Sequence, residues 1–209
     1  ISATLLAQGA PKSLLRPAAT LLFRTVRLGG DCRLLRGVPA AALPADLARD
    51  FRLMLAECHL RAERTEEARQ ELRALLSSGE SDLAAFRAAE LWLARWPQPD
   101  SRDLARKLGT VLAKQRDFAA AVPLLEQALE GTTDLGSGDD SAALYLLARA
   151  EFWSGKFAAA AGHFDRLAAV ARQAAIRADA RYQQARSLEL AGDWASALRL
   201  FEEAYAAEP

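Results

Sequence analysis

The sequence predicts an all-α chain, an α-solenoid of stacked antiparallel helix pairs. One pattern recurs without gaps in "QRDFAAAVPLLEQAL" (115–129), "SGKFAAAAGHFDRLA" (154–168) and "AGDWASALRLFEEA" (191–204). The copies are offset by 39 residues from Phe118 to Phe157 and by 37 from Phe157 to Trp194. Periods of this size belong to solenoids, in which each repeat packs only on its neighbours. Within a copy, Trp194, Ala197, Phe201 and Ala204 fall at steps of three and four, which is one stripe of a helix. No segment alternates polar and apolar residues as a strand would.

The elements follow in chain order. "KSLLRPAATLLFRTVRLGG" reads as a helix disturbed by Pro17 and ended by Gly29-Gly30, with a short helix around Cys32 to Arg36; residues 1–45 form an irregular helical segment. Residues 46–100 hold a degenerate copy. Phe51 to Leu76 offers small Ala56 and then Ala68, Leu72 and Leu75 in the repeat's order, and an extra helix from Ser81 to Trp96 stops at Pro97 and Pro99. Residues 101–209 carry three repeats, at about 101–135, 141–172 and 176–209. Their first helices, "RDLARKLGTVLAKQ", "SAALYLLARAEFWS" and "ADARYQQARSLELA", place Gly109, Ala148 and Ala185 at equivalent points, and a short turn then leads to the aromatic that opens the second helix. Each unit is an αα-hairpin. The polar loop 131–141 connects two repeats, with Ser141 placed to cap the next helix.

The order of a small residue, a Gly-containing turn, an aromatic, Ala, an aromatic or Leu, Ala and a final Pro resembles the tetratricopeptide repeat family, in the style of bacterial helical-repeat proteins. The resemblance covers about Ser101 to Pro209. It implies a TPR-like superhelix in which Gly155 and Gly192 relax the interhelical turns and Pro209 ends the last helix. Departures are Arg116 in place of the turn glycine, Glu151 where a bulky aromatic is usual, and Arg181 and Gln184 at packing positions.

Composition limits the functions available. With 209 residues, 51% of them hydrophobic and 26% charged, the chain can bury a real core. Its 27 basic and 27 acidic residues cancel, so no global field draws nucleic acid or an anionic membrane. No apolar run reaches the length of a membrane span. Lys12, Lys107, Lys114 and Lys156 are the only lysines and asparagine is absent, a pattern for which a GC-rich genome is the preferred reading over a choice of arginine for bidentate contacts. Cys32 and Cys58 are too far apart for a zinc or redox pair. They leave two free thiols in a core, the preferred reading, or one disulfide. The compartment, cytoplasmic or periplasmic, stays open.

Catalytic chemistry finds no constellation. His59 and His163 belong to no metalloprotease or nucleophile-elbow pattern, and Cys58 and His59, adjacent on a helix, point about 100° apart. The carboxylates of Asp134, Asp139 and Asp140 lack the alternation of a calcium loop and read as a solvated connector. The chain is therefore expected to be no enzyme and to need no metal or cofactor. In the family it resembles, first helices line a concave face that binds partner peptides or helices. Carried onto this sequence, that face holds Arg106, Lys114, Tyr145, Arg149, Phe152, Trp153, Tyr182 and Arg186. Tyr, Trp and Arg dominate binding energy at protein interfaces, so the expected partner is another protein or peptide, acidic or aromatic-bearing, and the expected role a non-catalytic scaffold. The alternative is the helical superstructure domain of a larger cell-envelope enzyme, since such Ala/Arg-rich arrays resemble the non-catalytic region of bacterial lytic transglycosylases. Leu200, Phe201, Ala204 and Tyr205 also predict self-association through the C-terminal helix.

Overall fold

The computed structural model describes residues 11–29, 31–35, 38, 43–132, 135 and 138–207, and among them every regular element is helical. Ten α-helices are present among these residues. The chain divides into two compact units, Ile1–Pro97 and Gln98–Pro209.

In the first unit, α1 (Lys12–Arg27) continues through Pro17. The proline lies in the second turn and removes one hydrogen bond, while Ala18, Ala19, Leu22, Phe23 and Val26 bury a continuous stripe on its far side. A 3-10 helix (Cys32–Leu35) leads to α2 (Ala45–Arg61), α3 (Thr65–Leu76) and α4 (Leu83–Arg95). Phe23 of α1 stacks on Phe51 of α2 with ring centroids 6.2 Å apart. Free thiols were the preferred expectation, and the structure corrects it: Cys32 and Cys58 form a disulfide with Cα atoms 5.8 Å apart. Separation in sequence hid the pairing, because the reversal after α1 brings the 3-10 helix back onto the end of α2. Cys58 is thus neither a thiol nor a thiolate beside His59. At the other end of this unit Trp92 is fully buried, with the Arg69 and Arg73 guanidiniums each 5.5 Å from its ring centre. Asp82 caps α4 by accepting the Ala85 amide at 2.9 Å.

The second unit is three helix pairs: α5 (Arg102–Lys114) with α6 (Phe118–Leu129), α7 (Gly138–Trp153) with α8 (Phe157–Val170), and α9 (Ala174–Ala191) with α10 (Trp194–Ala207). Every first helix must turn back within three residues, and the turn residue does so in the left-handed region: Gly155 at φ 77°, Gly192 at φ 89°, and Arg116, without glycine's freedom, at φ 67°. Asp117 and Asp193 then cap the second helices by accepting the amides of Ala120 (3.3 Å) and Ser196 (3.2 Å). The Gly-Asp-Trp run is therefore a stop, a cap and the first residue of the next helix. Gly109 marks a close approach, since a Cβ there would lie 2.7 Å from Leu125 Cγ across the α5–α6 contact. The loop before α7 differs from expectation. The helix begins at Gly138, so Ser141 lies inside it rather than capping it, and Asp139 and Asp140 sit in its first turn. Asp134, the expected helix end at Pro209 and the Tyr205 side chain lie outside the described residues.

Ala121, Ala160 and Ala197 are each 2% exposed or less. Enlarging them overpacks a helix contact, so Ala160→Leu or Ala197→Leu is expected to cost about 1–3 kcal/mol, while Ala159→Leu on the exposed side of α8 leaves the melting point unchanged. Thermal melts that fail to separate the two sites would show the repeat register to be wrong.

Candidate partner-binding groove

The first helices present their side chains in the register set by the small residue of each repeat. Tyr145 lies three residues before Ala148 on α7, where its ring meets Phe164 of α8 edge-on at 6.2 Å. It also lines a cavity of about 710 Å³ formed by α7, the end of α8 and the start of α9. Ala142, Leu167, Ala171 and Ile176 make this cavity largely apolar, with Arg172 and Asp179 at its wall. The Arg149 guanidinium lies 5.6 Å over the Tyr145 ring, one turn further on.

At the end of α7, Phe152 turns inward. It packs against the buried cluster of Ala148, Ala160 and Phe164 and meets Phe157 edge-on at 5.5 Å. Trp153 stays 55% exposed, with the Arg116 guanidinium 5.8 Å over its ring. On α9, Tyr182 is 47% exposed and meets Phe201 of α10 at 6.0 Å. Arg186 Nη1 donates to the Tyr182 hydroxyl at 3.5 Å, and Arg186 also pairs with Glu189.

Electrostatically the eight expected residues separate. Arg106 is committed to Asp103, Asp139 and Asp140 at 2.8, 3.2 and 3.5 Å. Hydrogen bonds from Lys107 and then from Arg106 hold the Asp103 carboxyl below its usual range. Lys114 and Arg149 are exposed and carry no ion pair with any described residue. The structure thus gathers Tyr145, Arg149, Phe152 and Trp153 along α7, sets Tyr182 and Arg186 together on α9, and ties Arg106 into an acidic cluster at the start of α5.

Three further residues stand out against their equivalents in the other repeats. Glu151 is 2% exposed in the wall of α7, and His163 Nδ1 of α8 is bonded to its Oε2 at 2.6 Å. The signal for this pair was in the repeat itself: the equivalents of Glu151 are Leu112 and Leu188, and those of His163 are Leu124 and Leu200, so both members depart together. Leu198 of α10 is 59% exposed, whereas its equivalents Val122 and Ala161 are buried. Among the described residues no group of three or more His, Cys, Asp or Glu side chains is arranged to hold a metal ion, and no helix is long and apolar enough to cross a membrane.

Family models described as tetratricopeptide repeat match three stretches, residues 36–82, 112–189 and 179–209. Among solved structures the chain is similar to "MamA MSR-1 C2", at 17% identity and a TM-score of 0.46. It is also similar to two structures of nearly identical TPR-like repeats from Podosopora anserina, at 18% identity and a TM-score of 0.45. In each case the match covers 93% of this chain and 94% of the other. No curated protein matches the sequence.

Proposed function

The chain belongs to the tetratricopeptide repeat family, and from that premise we propose that it is a non-catalytic scaffold that binds a partner peptide or helix on the first-helix face of its second unit. Repeats of this kind serve generally as protein-interaction scaffolds. The observation that carries the finer reading is the apolar cavity of about 710 Å³ between α7 and α9, with Tyr145 in its wall and Ile176 37% exposed. A largely apolar cleft edged by a few polar groups suits one or two apolar side chains of a segment laid across the helices. Tyr145 lines it, and Arg149 further along α7 and Tyr182 and Arg186 further along α9 add residue types that anchor interfaces.

The test is selection from a displayed random peptide library against the whole chain. Selected peptides are expected to bind about tenfold more weakly to an Ile176→Glu variant, which puts a charge into the apolar cleft, and equally well to Ala159→Leu. Selection of no binder, or of binders indifferent to Ile176→Glu, would remove the groove from the account. The reading as a helical domain of a larger cell-envelope enzyme draws support from one observation, the Cys32–Cys58 disulfide, because structural disulfides persist in oxidising compartments. An exported native protein with a catalytic domain elsewhere in its sequence would establish it.

A further inference from the structure

We infer that Arg116 and Trp153, with Lys114 two residues before the first and Arg149 one helical turn before the second, form a subsite of this face that selects acidic peptide segments carrying an apolar residue next to a carboxylate. The inference rests on the groove reading above and adds the partner's chemistry.

Arg116 is its centre. The other turns of this unit use Gly155 and Gly192 at the same point, where a positive φ costs glycine nothing. Arg116 holds φ 67° with a side chain, a conformation that L residues other than Asn and Asp rarely adopt. What the side chain gains there is a position: its guanidinium lies 5.8 Å over the ring of Trp153. Trp153 in turn stands where the neighbouring repeats carry Lys114 and Leu190, and it leaves 55% of its surface open.

The charges nearby are not cancelled. Arg106, Lys107 and Arg186 are all paired with carboxylates of this chain. Lys114, Arg116 and Arg149 have no such partner among the described residues; of the acids next to them in sequence, Asp117 accepts the Ala120 amide as the cap of α6, and Glu151 is buried and bonded to His163. Arg116 and Arg149 are instead laid on aromatic rings, Trp153 and Tyr145. An aromatic face orients a guanidinium without neutralising it and leaves its N–H fork for a carboxylate in bidentate geometry. In a chain whose charges otherwise balance, this places unpaired positive charge beside an open indole. A segment with Asp or Glu next to an apolar side chain matches both: the carboxylate on the guanidiniums, the apolar group on Trp153.

The same library selection tests the subsite separately from the groove. The selected peptides are expected to be rich in Asp and Glu, to bind more weakly as salt is raised, and to lose about tenfold in affinity for Arg116→Gly, Arg116→Gln and Trp153→Ala. Arg116→Gly is expected to melt at or above the parent, because glycine suits the turn, so its weaker binding cannot be ascribed to unfolding. Arg116→Gln keeps a polar side chain in the turn and removes the guanidinium with its charge. Selected sequences without acidic residues, or affinities unmoved by either Arg116 variant, would overturn the subsite; if the same peptides are lost with Ile176→Glu, the groove stands. Selection of no peptide would overturn both.

Discussion

Replacing His163 with leucine is expected to destabilise the second unit by about 3–5 kcal/mol, whereas replacing Glu151 and His163 together with leucine leaves stability unchanged or raises it by about 1–4 kcal/mol. Glu151 is 2% exposed and its bond to His163 Nδ1, at 2.6 Å, is what satisfies it. Removing the histidine strands a carboxylate where water cannot reach it. Moving the helix to expose it to water costs free energy as well. The double change does something different. It restores at these two positions the Leu112–Leu124 and Leu188–Leu200 combinations that the flanking repeats already use, so the helix pair receives a pairing known to fit its spacing. Glu151→Leu alone falls between, because His163 keeps 21% of its side chain in solvent. A double-mutant cycle by denaturant unfolding measures the coupling; a His163→Leu variant as stable as the parent would show that the pair is not the buried unit described.

Repetition made much of the fold legible. Three aligned copies fix the helix pairs, the turns and the buried alanines, because a solenoid reuses one packing solution and each copy checks the others. The same comparison flagged Arg116 and Glu151 as departures without showing what they do. For Arg116 the answer lies on the following repeat, in Trp153. For Glu151 it lies across the helix pair in His163, visible only when two positions are compared together. Ser141 misled because a serine beside an acidic loop is a good cap by type, while Asp139 and Asp140 already provide negative charge in the first turn of α7, close to the helix N-terminus where such charge is favourable. Arg106 was legible as a residue of the face but not as a neutralised one, since its partners Asp139 and Asp140 belong to the next helix. In the first unit no second copy of the Cys32 segment existed to compare with, and its contact with α2 depends on a chain reversal that spacing does not encode.

The Cys32–Cys58 disulfide supplies the other large expected effect. Cys58→Ser, or reduction of the parent, is expected to cost the first unit about 3.5 kcal/mol, the chain-entropy value for a closed loop of about 26 residues. The bond joins the 3-10 helix to the last turn of α2 and so encloses the whole connection between them. The 3-10 helix and the last turn of α2 contribute Leu35 and Cys58 to a core that also holds Ala19, Leu22, Phe23, Val26, Phe51 and Met54, so the bond fixes two of the pieces against which α1 packs. Serine adds a smaller term, because Cys58 is 2% exposed and a hydroxyl there needs a partner. The loss is local: amide exchange is expected to accelerate in α1, the 3-10 helix and α2 when a reductant is added, and to stay unchanged in α5 to α10, whose helix pairs contain no cysteine. The Cys58→Ser variant separates the bond from side effects of the reductant, since reductant no longer changes its exchange. Because glutathione-rich compartments reduce such bonds, the same measurement at cytosolic and at oxidising redox poise tells in which of them the first unit holds its full stability. Exchange in α1 and α2 that does not respond to reduction would show the disulfide to be no support of this unit.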